Sequence, residues 1–325
     1  MEDRKYLFVR VLEACNADCF FCGFALSRDR YRLQPDELAG ILAQAAEMGV
    51  GHVRFTGGEP LMHREILPLV RVGAALPAKV SLITNGLLLP RMAEELAEAG
   101  LDQVIVSIDS GFAEQHNEYR NTPNLFEKAF EGIAEARRHR IRVRVNTVVG
   151  PHNYQSMPEL AKTLRDAGVE QWELSALKLS DQITYPDRED VVRVAEAVYE
   201  GDGLIPMGKR WFGDTPEERD QYFERGIPPR SSGDVCRVTD DVMYLDPKEG
   251  YLFPCSLLPH RSTPVLYGAQ VRNDDGSFTL DSPTFRERRL FFRENGANLC
   301  TGCSSSAAGY SDRAASGTPQ PSWSY

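Results

Sequence analysis

The 325-residue chain has no apolar run of 18 residues or more, so no segment is able to cross a bilayer as a helix. Its first ten residues, MEDRKYLFVR, lack the apolar stretch of a secretory signal, which predicts a cytoplasmic protein without a membrane partner. Basic charge is in deficit. Against 47 Asp and Glu there are 37 Lys and Arg, and the net charge of −10 argues against a nucleic-acid partner. No internal repeat is present beyond an alternation of strand-like and helix-like segments. Cysteine is scarce, seven in all, an odd count that a full set of disulfides does not use up. Cys15, Cys19 and Cys22 fall in a CxxxCxxC spacing and Cys300 and Cys303 in CxxC, which points to metal ligands.

What is present is a regular β/α texture. Apolar, β-branched strands are expected at 6–12, 52–56, 79–84, 103–108, 142–149 and 171–177. Helical patterns are expected at 34–48, 64–75, 90–99, 124–138 and 156–167, several of them stopping at or near Gly49, Gly100 or Gly168. Strand–helix repetition calls for a parallel sheet with right-handed crossovers. A closed eight-stranded barrel needs about 250 residues, and the alternation fades near residue 200. The expected fold is therefore α/β: a partial (β/α)6 TIM-type barrel over 1–200, followed by a connecting segment over the barrel mouth at 201–233. A small C-terminal α+β domain is expected at 234–303, with a hairpin in VMYLDPKEGYLFPC, and a disordered tail at 304–325.

The stretch Glu13–Gly23 organises the chemistry. Three thiolates on one short loop after a first strand can occupy three corners of a cubane iron–sulfur cluster, leaving the fourth iron open. Buried thiols, or a zinc ion with a fourth ligand elsewhere, are the alternatives. One strand–helix unit later comes Thr56-Gly57-Gly58-Glu59-Pro60. Paired glycines allow close backbone approach to a ligand, and the carboxylate beside them can accept from an ammonium group. Barrel active sites lie at this carboxyl-end rim.

Together these residues resemble the radical S-adenosylmethionine (SAM) superfamily, over roughly residues 5–180. The resemblance implies that Cys15, Cys19 and Cys22 hold a [4Fe-4S] cluster whose open iron is chelated by the methionyl amine and carboxylate of SAM. It places Phe21 near the adenine and Gly57, Gly58 and Glu59 at the methionine end. Other matching rim positions are Thr84 and Asn85, Ser107 and Asp109, Asn146, and Leu177. A 5′-deoxyadenosyl radical abstracting hydrogen from an unactivated C–H bond is the implied chemistry, fed by a flavodoxin- or ferredoxin-type electron donor. Cys236, Cys255, Cys300 and Cys303 satisfy a closed four-ligand site, either a zinc ribbon or a second [4Fe-4S] cluster; beside the first motif they resemble the shortened SPASM extension called a twitch domain.

A chain that begins so close to its first strand has no room for an N-terminal peptide-recognition domain, which predicts a small-molecule substrate. The wording RKYLFVRVLEACNADCF, FALSRDRYR and QWELSALKL resembles the cytosylglucuronate decarboxylase-type enzymes of nucleoside antibiotic biosynthesis. That implies decarboxylation or radical diol dehydration of a sugar. Oxidation of a secondary alcohol, or epimerisation, on an aminocyclitol is the alternative, and a non-catalytic zinc or iron–sulfur protein the alternative from another class. Cations available to a substrate carboxylate are Arg144, Lys178, Lys209 and Arg210. Flat surfaces for a base are Trp211, Phe212 and Tyr222, and Glu173 and Lys178 are the candidate acid or base on the sixth strand.

Overall fold

The computed structural model describes residues 5–76, 78–177, 185–226, 228, 235–258 and 267–299, with side chains to residue 296. Lys178, Cys300, Cys303 and the expected tail at 304–325 lie outside the described residues. Six strands run parallel and pair in chain order: β1 (Lys5–Leu12), β2 (Val50–Gly57), β3 (Lys79–Thr84), β4 (Gln103–Ser107), β5 (Arg142–Val149) and β6 (Gln171–Ala176). Between them lie α1 (Pro35–Glu47), α2 (Ile66–Ala74), α3 (Leu89–Glu98), α4 (Ala113–Tyr119), α5 (Leu125–Arg138) and α6 (Met157–Asp166), with α7 (Arg188–Tyr199) after β6. The chain is thus the expected α/β partial barrel. Helix α1 shows its face in the sequence: it starts on Pro35 with Asp36 and Glu37 in its first turn and buries Leu38, Ile41, Leu42 and Ala45, one stripe at helical spacing.

The hairpin expected near residue 250 forms, and its first strand does more than anticipated. β7 (Val242–Asp246) pairs parallel with the free edge of β1, and β8 (Tyr251–Phe253) and β9 (Ala269–Gln270) follow antiparallel. One nine-stranded sheet results, in the order β6-β5-β4-β3-β2-β1-β7-β8-β9. The segment around 202–230 contains α8 (Pro216–Arg225), fixed by a capping box between Thr215 and Glu218. A short α9 (Val238–Asp241) and the long α10 (Pro283–Leu299) complete the described elements. Among the described residues no helix is long and apolar enough to cross a membrane.

Strand alternation divides the barrel sheet into two faces. Leu7, Val9, Phe55, Leu82, Val106 and Val145 pack outward in the large core beneath the helices. The inner face carries Tyr6, Phe8, Arg54, Ser81, Arg144 and Glu173, all buried, joined by contacts that cross from strand to strand. Nearer the carboxyl ends of the strands the inner positions open. Ile83, Ser107, Asn146, Val148 and Ser175 are each half-buried while their neighbours on the same strands are closed, and Thr56 and Gly57 are both half-buried at the end of β2. That contrast outlines a concavity at the rim with a charged floor.

Candidate active site

The loop after β1 folds back on itself. Cys22 N–H donates to Cys19 O (3.1 Å), Ala25 N–H to Cys22 O (3.3 Å), and Cys15 N–H to Ser27 O (3.3 Å). Cys19 is buried, while Cys15 and Cys22 are half-buried. Burial pushes the Cys19 thiol up to about 11, against the opposing pull of the Arg120 guanidinium, and pushes the Cys15 thiol upward as well. Among the described residues no three His, Cys, Asp or Glu side chains are grouped as ligands of one ion. Three cysteine thiols on one loop make a donor set that suits three irons of a cubane cluster and leaves the fourth iron open.

The Gly57-Gly58 pair lies against that loop. A Cβ on Gly57 would sit 2.1 Å from Leu12 O, and one on Gly58 2.3 Å from both Ala14 O and Glu13 O. Gly57 also has φ +147°, and Glu59 N–H donates to Ala14 O at 2.9 Å. The close approach the sequence implied is therefore made to the chain's own cysteine loop. Glu59 is fully enclosed: Oε1 accepts from Leu61 N–H (3.0 Å) and Thr84 Oγ1 (2.7 Å), and Oε2 from Asn85 N–H (2.7 Å). Asn85 Nδ2 donates in turn to Asn16 Oδ1 (2.7 Å) in the cysteine loop. Glu59, Thr84 and Asn85 thus brace three strand ends around the loop. Burial raises the Glu59 pKa while these donors oppose the rise.

Ser107 and Asn146 are register partners on β4 and β5, half-buried on the inner face. Asp109 is fully buried and its charge is already matched, since Arg120 Nε and Nη2 lie 2.9 and 2.7 Å from Oδ2 and Val148 N–H donates to Oδ1. Leu177 is buried and donates its N–H to Val149 O. Arg120 is the residue that pattern reading missed. It is buried, Nη1 lies 3.9 Å from Cys19 Sγ, and its guanidinium sits 5.7 Å from the centre of the half-buried Phe21 ring. The available signal was an acid–arginine pair, Asp109 and Arg120, flanking a short helix. His116 accepts from Asp109 N–H, and burial lowers it to about 3, so it stays neutral.

Below this layer Arg144 Nε donates to Asn146 Oδ1 (2.9 Å) and Nη2 pairs with Glu173, both partners buried. Two other cation candidates are engaged away from this floor: Lys209 holds Glu218 at 2.8 Å and Arg210 holds Asp214 at 3.3 Å. Trp211, Phe212 and Tyr222 do not offer a free face to a base. They are buried in the outer core, the first pair edge to face and Phe212 and Tyr222 both against Phe223, because α8 needs an apolar seat. Of the C-terminal cysteines, Cys236 and Cys255 join Tyr6, Phe8 and Phe253 in one cluster on the inner side. Cys236 N–H donates to Arg293 O on α10 (2.9 Å), and a Cβ on Gly296 would meet Cys236 Cβ at 3.0 Å. α10 ends on the residue before Cys300.

The radical SAM superfamily model matches residues 9–198. The chain is 45% identical over 114 residues to a GTP 3',8-cyclase of Heliobacterium modesticaldum, covering 33% of this chain and 35% of that one. It is 33% identical over 156 residues to an AdoMet-dependent heme synthase of Methanosarcina barkeri, covering 46% and 45%. The chain thus spans less than half the length of these two relatives. In three dimensions it resembles Streptococcus suis SuiB bound to S-adenosylmethionine, with a TM-score of 0.65 at 18% identity, over 91% of this chain and 68% of that one. It resembles anSMEcpe with bound AdoMet at a TM-score of 0.62 and 15% identity, over 94% and 84%; both likenesses are of fold. With more than half of its length matched by the family model, the chain belongs to the radical SAM superfamily, enzymes that use a [4Fe-4S] cluster and S-adenosylmethionine.

Proposed function

We propose that this radical SAM enzyme acts on the sugar of a small anionic nucleoside, best represented by cytosylglucuronic acid, with decarboxylation or diol dehydration as the outcome. One observation carries the reading: Arg144 Nη1 is buried on the barrel floor with no hydrogen-bond partner among the described residues, while Nε and Nη2 are held by Asn146 and Glu173. A carboxylate entering the concavity meets a fixed cation with one donor to spare. Cys15, Cys19 and Cys22 would hold the SAM-binding cluster. Phe21, Gly57, Gly58, Glu59, Thr84, Asn85, Ser107, Asp109, Asn146 and Leu177 would form the SAM side of the site. When bound, that group supplies the 5′-deoxyadenosyl radical that takes a hydrogen atom from the sugar.

The chain's own contribution is orientation and proton handling. Arg144 fixes the carboxylate, Ser107 and Asn146 offer hydroxyl and amide groups to the sugar, and Glu173, held by Arg144, takes or returns the proton at its carboxylate. Lys178, just past Leu177, is the second proton carrier in this reading. Cys236, Cys255, Cys300 and Cys303 would hold a second [4Fe-4S] cluster in a twitch-like domain. The convergence of Cys236, Cys255 and the end of α10 on the inner side supports it. The same four cysteines would also suit a second reading, alcohol oxidation, because a cluster held by them would supply a place for the electron that the substrate gives up.

The test is anaerobic turnover of the reconstituted protein on cytosylglucuronic acid, with GTP, the compound named in several relatives, as comparison. Formation of 5′-deoxyadenosine coupled to product is expected with the first. Arg144→Lys, which keeps the charge but loses the fork, should raise KM about tenfold or more while substrate-free SAM cleavage stays intact. Turnover of GTP alone would replace the substrate, and an unchanged KM would remove Arg144 from the site.

A further inference from the structure

The β7–β8 hairpin reaches from Cys236 and Cys255 at its base to the N-terminal cysteine loop at its tip. At the base, Val242, Tyr244 and Phe253 pack in one cluster with the two cysteines. At the tip, residues 246–250 make a tight turn. Gly250 N–H donates to Asp246 O (2.8 Å), and Val271 N–H, just after β9, donates to Gly250 O (2.8 Å). Gly250 takes φ +76°, a conformation open to glycine without strain. The turn is thus held from both sides, and the side chains it carries have a fixed place.

Those side chains meet the root of the cysteine loop. Val9 and Leu245 are register partners on β1 and β7, which brings the next residues, Arg10 and Asp246, side by side. Both are buried; Arg10 Nη2 pairs with Asp246, and Nη1 lies 3.1 Å from Glu13 Oε1. The same guanidinium stands 5.4 Å from the centre of the Phe24 ring. Lys248 Nζ donates to Glu13 Oε2 and to Asp29 Oδ2, each at 2.9 Å, and lies 3.6 Å from Glu249 Oε1. Glu13 comes two residues before Cys15, and Asp29 two residues after Ser27, whose carbonyl accepts from Cys15 N–H. One ammonium therefore holds both ends of the segment that carries Cys15, Cys19 and Cys22. Without it, Glu13 and Asp29 would face each other as like charges.

We infer that Lys248 is a positioning residue for the cluster: it closes the neck of the cysteine loop and, acting through Glu13 and Asp29, sets the places of the three sulfurs. The inference rests on Cys15, Cys19 and Cys22 holding the SAM-binding cluster. The tip of the C-terminal hairpin is then part of the SAM side of the site. Lys248 and Asp29 are both partly exposed, and ion pairs of that kind add little to global stability. Groups that orient metal ligands from behind change metal affinity about 10- to 100-fold. The two roles therefore differ in what the loss of Lys248 does.

The test is retention of the cluster by the anaerobically reconstituted full chain under challenge with an iron chelator. It is followed by the electron paramagnetic resonance signal of the reduced protein that responds to SAM, with the thermal midpoint measured beside it. Lys248→Met is expected to lose that signal about tenfold faster or more. Its thermal midpoint should stay close to wild type, and the line shape with SAM should change. Lys248→Arg, which keeps a cation between the two carboxylates, should hold the cluster nearly as long as wild type does. Unchanged retention and line shape in Lys248→Met would overturn the assignment. So would a thermal midpoint that falls in step with retention and is not rescued by arginine. A wild-type protein with no SAM-responsive signal would instead overturn the cluster reading, and the positioning role with it.

Discussion

Gly58→Ala is expected to remove most of the cluster bound by the N-terminal cysteines and, with it, SAM cleavage. The added Cβ meets two backbone carbonyl oxygens at 2.3 Å, and those carbonyls belong to Glu13 and Ala14, the residues leading into Cys15. Overpacking typically costs about 1–3 kcal/mol. Here the neighbours are backbone, so relief comes only by moving the loop that sets the sulfur positions, or by breaking the Glu59 N–H to Ala14 O bond beside it. Gly40→Ala is the control. Gly40 lies within α1 with nothing near its missing Cβ, and alanine there should leave the iron content unchanged and the protein as stable or slightly more so. Iron content after reconstitution and the thermal midpoint check both. A Gly58→Ala protein with a full N-terminal cluster would show that the close approach does not set the loop.

Arg120→Gln should lower both stability and SAM cleavage, and the two effects are separable. Removing one partner of a buried pair leaves Asp109 charged and uncompensated, which costs about 3–5 kcal/mol. Adding Asp109→Asn removes the orphan charge and should restore much of the thermal midpoint. It should not restore reactivity, because the cation next to Cys19 Sγ and Phe21 is still missing. Groups that orient metal ligands from behind typically affect metal affinity or activity about 10- to 100-fold, and that loss in 5′-deoxyadenosine formation is expected to persist in the double variant. Full recovery of both would make Arg120 a structural counterion only.

Much of the barrel was legible because its strands are short, β-branched and evenly spaced, and because α1, α3 and α6 write their apolar stripes plainly. The structure places Arg144 and Asn146 on one face of β5 and Val143 and Val145 on the other, and the alternation alone does not say which of the two turns inward. The place of β7 was not legible, since a strand's choice of a distant edge is set by tertiary packing and leaves no local mark. α8 was missed although Thr215-Pro216-Glu217-Glu218 spells a capping box; the surrounding charge and glycine hid it. Trp211, Phe212 and Tyr222 read as a surface for a base because exposure has no periodic signature in an irregular segment. For Glu59 the sequence supplied the residue but not its bonding, which depends on Thr84 and Asn85 two elements later.

The measurement that bears most directly on this account is iron per chain after anaerobic reconstitution, taken on wild type and on Cys300→Ala, Cys303→Ala. Two cysteine sets each holding a cubane predict about eight irons falling to about four, with substrate-free SAM cleavage retained in the variant. About four irons in both proteins, with zinc in the wild type, would leave the SAM-binding cluster in place and contradict the second one. No iron in either would contradict the central claim that Cys15, Cys19 and Cys22 hold the catalytic cluster.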